Sequence, residues 1–363
     1  MSFVKDNKAF EAWLAEHCDV VKEDIDYKHE QMETSAFVFL RATYFRWARK
    51  IGSWCPDLMD APTVLAVGDL HLENFGTWRD ADGRLVWGVN DFDEAARMPY
   101  VLDLVRLVTS IRLATGGSHA VSGKSAAVAV LRGYRHGLKN PQAALLFEGQ
   151  TWLRRYAEPA KGKPEEFWDE VEEYKKQDEA KPPRDVARAL IKSLPDGVDK
   201  GVKMRTRLAG TGSLGRPRYV AIGYWRGGQV LREAKALVPS AWLWANGSTS
   251  MKSEFLALSK GKYRAPDPFL KVMRDKFVIR RIGADSKKIE LGKNAGAKLY
   301  LRLLKAMGFD LASIHAGTAG SADKIKADLD RRARGWLNAA ATVAAAEVQE
   351  DYREWKRYRK KHR

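Results

Sequence analysis

Cysteine is nearly absent: the 363 residues include only Cys18 and Cys55, in no metal-ligand spacing. Two thiols cannot frame a chain this long with disulfides, so two buried thiols in a reducing compartment are expected. No apolar run approaches the roughly 18 residues of a membrane-spanning helix. The start, MSFVKDNKAFEAWLAEHC, mixes acids into an amphipathic helical pattern and lacks the uninterrupted apolar core of a signal peptide. A cytoplasmic protein with no membrane span is therefore expected. Histidine is scarce as well. Seven are scattered along the chain, which argues against a metallophosphoesterase, whose two metals need several histidine ligands.

Acids are outnumbered, with 46 Asp and Glu against 63 Lys and Arg, a formal net charge of +17. Such an excess favours an anionic partner, whether nucleic acid, membrane surface or phosphorylated substrate. Much of it sits in the terminal EWKRYRKKHR, which reads as a solvated helix end. The length suffices for two packed units.

Residues 5–60 carry helical periodicity, and SAFVFLRATYFRWARKI sets Phe37, Leu40, Tyr44 and Trp47 on one face. Between 64 and 93 the period shortens to strands around Asp82-Gly83, a hairpin turn signal. Residues 99–138 read as helix broken near Gly116-Gly117-Ser118. Residues 140–200 are charged and mostly helical, with Pro182-Pro183 as punctuation. A β-rich block follows in 201–292: RTRLAGTGSLGRPRYVAIGYW, GQVLREAKALV, DKFVIRRIG and KKIEL. From 293 to 363 the pattern is helical again.

The densest polar cluster is VGDLHLENFG followed by VNDFDEA. It gathers Asp69, His71, Glu73, Asn74, Asp91, Asp93 and Glu94 in one strand–loop–strand unit. Phosphoryl transfer wants such a set: a carboxylate accepts the proton of an attacking hydroxyl, while a second carboxylate and an amide oxygen hold magnesium on the phosphates. Asp and Asn clusters also arise at turns for conformational reasons alone. Asp69 and Asp91, however, each follow apolar strand-like residues, where sites are built.

GDLHLENFG, a short hairpin and then DFD resemble the catalytic loop and metal-binding segment of aminoglycoside phosphotransferases and related kinase-like enzymes. The resemblance implies Asp69 as catalytic base, Asn74 as metal ligand, Asp91 as principal metal ligand and Asp93 as a second. It gives His71 no role as a base. In YVLDLVRL it implies that Asp103 braces the catalytic loop, although Val67 stands where many such enzymes have His. Residues 64 to about 112 also resemble DUF2252, a bacterial family of unassigned function thought to share the kinase-like fold.

Gly210-Thr211-Gly212-Ser213-Leu214-Gly215 has the G-x-G-x-x-G spacing, which by itself also marks dinucleotide folds. There the motif opens a helix; here RPRYVAIGYW continues as a strand. A glycine turn between antiparallel strands resembles the loop that covers phosphates in kinases. Lys235, in LREAKAL, resembles the strand lysine that meets the α- and β-phosphates, and Glu254 is the candidate glutamate partner. The order is rotated, because in kinases the glycine loop precedes the catalytic Asp. The expected fold is thus α+β and bilobal, kinase-like but circularly permuted. Its small lobe would span 201–292 and its large helical lobe 1–200 with 293–363. ATP and Mg2+ are the implied cofactors, and the acceptor is an unidentified hydroxyl compound. An adenylyltransferase, a pseudokinase, a metallophosphoesterase and a basic nucleic-acid binder are the rival readings.

Overall fold

A computed structural model describes residues 2–115, 121–154, 164–198, 201–286 and 297–362. Helix α1 (Phe3–His17) is capped by the Ser2 side chain, which accepts from the Lys5 amide. After α2 (Lys22–Gln31), the run expected as one helical face divides into α3 (Ala36–Ala42) and α4 (Tyr44–Trp54). Thr43 makes the break: its hydroxyl bonds back to the Phe39 carbonyl at 2.7 Å, an alternative to the helical ladder open to a short hydroxyl side chain. Phe37, Leu40, Tyr44 and Trp47 are buried all the same.

Strand β1 (Thr63–Ala66) leads into the carboxylate-bearing loop, and β2 (Phe75–Arg79) and β3 (Leu85–Val89) form the expected hairpin around Gly83. β1 pairs with β4 (Ala96–Pro99), a partner the sequence reading left unassigned. Helix α5 (Val101–Thr115) runs through the core with Leu104, Val105, Leu107 and Val108 all buried. Helix α6 (Gly123–Lys139) follows, then the short β5 (Ala144–Leu145) on the edge of the β2–β3 sheet.

Helices α7 (Pro164–Lys176) and α8 (Arg184–Ser193) lie in the stretch expected as a helical connection between the two lobes. They cover the two faces of the β-rich block. That block is a five-stranded antiparallel sheet of β6 (Lys203–Thr206), β7 (Arg218–Trp225), β8 (Gly228–Ala236), β9 (Lys271–Met273) and β10 (Phe277–Ile282), in the order β6-β7-β8-β10-β9. Val171 and Tyr174 of α7 pack on Val220, Ile222 and Leu231, whereas Val186 and Leu190 of α8 pack on Ala221, Ala234 and Ile279. Both faces of the sheet need cover because alternate side chains on either side are apolar. Two five-residue helices, α9 (Ala241–Ala245) and α10 (Phe255–Ser259), lie between β8 and β9.

Helix α11 (Ala297–Ala316) lies against α6 at glycine contacts, and α12 (Ser321–Arg331) and α13 (Trp336–His362) complete the chain. The basic terminal segment is anchored along one face, while Lys356, Arg357, Lys360, Lys361 and His362 stay exposed as expected. Trp355 is buried against Phe3, Glu354 accepts from the first amides of α1, and Arg359 pairs with Glu33 at 2.9 Å. The two cysteines are half-buried and free, and burial pushes both thiols above their ordinary pKa. Among the described residues no helix is long and apolar enough to cross a membrane. The expected strand KKIEL, the boundary at residues 292 and 293 and the break at Gly116-Gly117-Ser118 lie outside the described residues.

Candidate active site

The loop after β1 turns at Gly68 (φ +83°), where a Cβ would come within 2.3 Å of the Glu94 carbonyl oxygen; only glycine fits. Asp103, at the start of α5, accepts from the Val67 and Gly68 amides at 2.7 and 2.9 Å and so braces the loop as expected. Asp103 is held in turn by a residue that no local motif marks. His315, near the end of α11, donates from Nε2 to Asp103 at 3.0 Å, and the Tyr134 hydroxyl bonds its Nδ1 at 2.7 Å. Its ring is thereby fixed between two partners.

Asp69 stands at the loop tip. The fully buried Arg106 of α5 donates to its Oδ1 from Nε at 2.9 Å and from Nη2, and to the Leu40 carbonyl. The guanidinium lies over the rings of Tyr44 and Trp47. Burial pushes the Asp69 pKa up, Arg106 draws it back, and nearby Asp91 adds to the rise. The result is a carboxylate more basic than an exposed one. The Asn74 amide nitrogen donates to the Asp69 carbonyl at 2.5 Å, which leaves Oδ1 as its acceptor atom. His71 Nδ1 accepts from the Glu73 amide, a loop-shaping contact, and Glu73 pairs with Arg41 at 2.6 Å.

Asp91 and Asp93 follow β3. Lys235, on β8, reaches both, with its Nζ 3.5 Å from Asp91 Oδ1 and in direct contact with Asp93 Oδ2. Arg216 joins from the end of the glycine loop, 2.7 Å from Glu94 and 3.4 Å from Asp93. Burial raises the pKa of both Asp93 and Glu94; Lys235 and Arg216 oppose the rise at Asp93, and Arg216 opposes it at Glu94. Glu94 also accepts from the Ala241 amide at the start of α9.

The glycine loop joins antiparallel β6 and β7, as expected, and contains one tight 3-10 turn at Thr211–Ser213. Gly210 and Gly215 adopt left-handed backbone (φ +75° and +90°). At Gly212 a Cβ would lie 3.3 Å from Asp69 Oδ2 and 3.0 Å from the Arg41 carbonyl, so the glycine loop rests directly on the loop that carries Asp69. Ser213 Oγ accepts from Arg218 at 2.9 Å. A polar cavity of about 30 Å³ lies here, lined by Asp69, Asn74, Asp91, Arg41 and Gly210–Ser213. A second cavity of about 310 Å³ adjoins it, sharing Asp91 and Gly210 and walled by Phe92, Phe255, Leu270 and several arginines.

One expectation changes. Glu254 is not the partner of Lys235: it stands ahead of α10 and pairs with Arg97 at 3.5 Å, and the carboxylates on Lys235 are Asp91 and Asp93. Glu254 occupies the cap position at the start of α10 and meets Arg97 there instead of reaching β8. Arg41, Arg106 and Arg216 were missed, because an arginine's role depends on which distant carboxylate it meets.

Among the described residues no group of three or more His, Cys, Asp or Glu side chains is arranged to hold a metal ion. Asp91 and Asn74 nonetheless suit magnesium, which takes one or two protein oxygens and completes its shell with water and phosphate oxygens. Asp93 suits it less, being engaged by Lys235 and Arg216.

Residues 20–190, less than half of the chain, match the family model described as "Uncharacterized protein conserved in bacteria (DUF2252)", in line with the sequence resemblance. The match contains Asp69, Asn74, Asp91 and Asp93 but neither the glycine loop nor Lys235. No curated protein and no solved structure matches the chain.

Proposed function

We propose that this protein is an ATP- and magnesium-dependent phosphotransferase with a kinase-like site assembled in permuted order, acting on a hydroxyl acceptor. One observation carries the reading. The glycine loop rests on Asp69 while Lys235 meets Asp91, so the 69–94 and 210–235 segments close one cleft. A glycine loop between the first two strands of a sheet, with a lysine on the third, is the kinase arrangement for phosphates. Permutation is supported by the end of α11, where the Thr318 hydroxyl accepts from the Leu65 amide of β1 at 3.0 Å. The end of α11 thus adjoins the strand that leads into the catalytic loop.

Asp69, more basic through burial and oriented by Arg106, would take the acceptor's proton. Asp91 and Asn74 would hold magnesium, which would neutralise charge on the transferring phosphoryl group. Arg41 adds a cation beside the same small cavity. The apolar walls of the larger cavity suit a purine, and its volume is at the lower end for ligand pockets.

The test has two parts: calorimetry with ATP·Mg, then ATP consumption across pools of hydroxyl acceptors, with products weighed by mass spectrometry. Asp69→Ala should lower turnover by about 10²–10⁴-fold while ATP still binds. Asp91→Ala should weaken ATP·Mg binding itself. Absence of ATP·Mg binding by the wild-type protein would sink the proposal, and a product heavier by an adenylyl group would change the reaction class.

A further inference from the structure

Three arginines that the kinase arrangement does not call for surround one buried carboxylate beside the candidate site. Glu233, on β8, has no solvent exposure. Its Oε1 accepts from Arg207 Nη1 at 2.7 Å and Arg218 Nη1 at 3.0 Å, and its Oε2 from Arg280 Nε at 2.7 Å. The three guanidiniums hold its carboxyl well below the usual carboxylate range. One negative charge cannot neutralise three guanidiniums, which stay protonated at every accessible pH. Glu170 is half-exposed and 3.9 Å from Arg207, so water screens most of what it offers, and Asp91, the proposed magnesium ligand, acts on Arg280 from across the cavity.

This charge excess has a location. Arg207, Arg218 and Arg280 all line the larger cavity, next to Gly210 and Asp91. Arg218 also donates to Ser213 Oγ, tying the group to the glycine loop. Among the described residues the terminal nitrogens of Arg280 carry no hydrogen bond, and its side chain is 29% exposed. Lys235 contrasts with them: its side chain is 5% exposed, its ammonium lies on Asp91 and Asp93, and it lines neither cavity.

We infer that Arg207, Arg218 and Arg280, pinned by Glu233, form a cradle for the phosphate chain of a di- or triphosphate, and that Lys235 acts as the counter-cation of Asp91 and Asp93. Planar guanidiniums suit phosphate oxygens, which accept two parallel N–H donors, and a buried carboxylate that fixes their rotamers removes the entropy cost of assembling them. The identity of the ligand as a nucleotide rests on the proposed function. The preference for a phosphate chain rests on the arginines.

Calorimetry with inorganic tripolyphosphate and with ATP separates the two, using wild type, Arg280→Gln, Arg280→Lys and Lys235→Gln. Glu233 keeps two partners in the Arg280 variants, and melting curves check that each folds. Tripolyphosphate and ATP should both bind the wild type. Arg280→Gln should weaken each at least tenfold, and Arg280→Lys by less. Tripolyphosphate binding that depends on Arg280, with ATP binding no tighter than tripolyphosphate, upholds the cradle and removes the nucleotide reading. ATP binding untouched by Arg280→Gln but abolished by Lys235→Gln overturns the cradle and leaves that reading standing. Failure of the wild type to bind tripolyphosphate also overturns the cradle.

Discussion

Lys28 shows how much one side chain can work against the fold it belongs to. It is 3% exposed on α2, and among the described residues its ammonium makes no hydrogen bond or ion pair. Burial pushes its pKa down to about 8 from an ordinary 10.5; Glu11 opposes the shift and Arg216 adds to it. A lysine whose folded pKa is lowered binds its proton less tightly in the native state than in the unfolded chain. Below pH 8 both states are protonated, and the fold bears the full cost of the buried charge, on the order of 3 kcal/mol. From about pH 8 to 10.5 the native state loses its proton first, and this cost declines. Lys28→Met should therefore raise the melting temperature at pH 7, and the gain over wild type should shrink as pH rises through that window. Thermal melts at pH 7, 8, 9 and 10 check this. A gain that stays constant across the series would mean that Lys28 is not the titrating group.

At the scale of elements, the packing of α6 on α11 depends on glycine. A Cβ on Gly133 would lie 1.8 Å from the Lys305 carbonyl oxygen, one on Gly137 2.5 Å from that of Phe309, and one on Gly308 2.1 Å from that of Val130. These neighbours are backbone, so relief requires the helices to separate. Alanine in a helix interior gains up to about 1 kcal/mol in propensity over glycine. Forcing an extra carbon into a closed contact costs about 1–3 kcal/mol or more, so the clash wins. Gly133→Ala should lower stability in urea unfolding, whereas Gly228→Ala, with open space around it, should leave it nearly unchanged. How legible each element was follows from the range of its interactions. The β2–β3 hairpin, the glycine turn and α1 were readable because period, turn residue and cap lie within a dozen residues. The β1–β4 pairing and the role of α7 and α8 as covers of the sheet depend on contacts made only after folding. The site divides the same way. Asp69, Asn74, Asp91 and the glycine loop carry local motifs, while Arg106, His315 and the arginines on Glu233 have meaning only through partners far along the chain. Glu254 was misjudged for that reason, since its spacing from Lys235 says nothing about where α10 sits.

The whole molecule is held by contacts between the ends of the chain, which makes its order testable. Glu354 accepts from the Phe3 and Val4 amides, Arg46 joins Asp6 to Asp351, and Lys8 lies over the ring of Tyr358. From Glu354 to His362 the helix rises about 12 Å, so a flexible linker of about eight Gly and Ser residues reaches back to Ser2. A chain joined in this way and opened between residues 154 and 164 would begin with α7 and the five-stranded sheet and end with the segment carrying Asp69 and Asp91. That is the order in which kinases present the parts that the proposed function assigns to these segments. The covers of the sheet, α7 and α8, stay attached to it, and no strand pairing among the described residues is cut. Connection order affects the loop-closure entropy of the unfolded chain more than the native contacts, and that entropy changes only slowly with loop length. The rearranged protein should therefore melt cooperatively within a few degrees of the original and bind tripolyphosphate and ATP·Mg with affinities within about threefold. Melting curves and calorimetry decide the matter. A rearranged chain that folds but binds neither ligand would show that the natural connectivity around residues 154–164 is itself part of the cleft, and that the 69–94 and 210–235 segments do not suffice to build it.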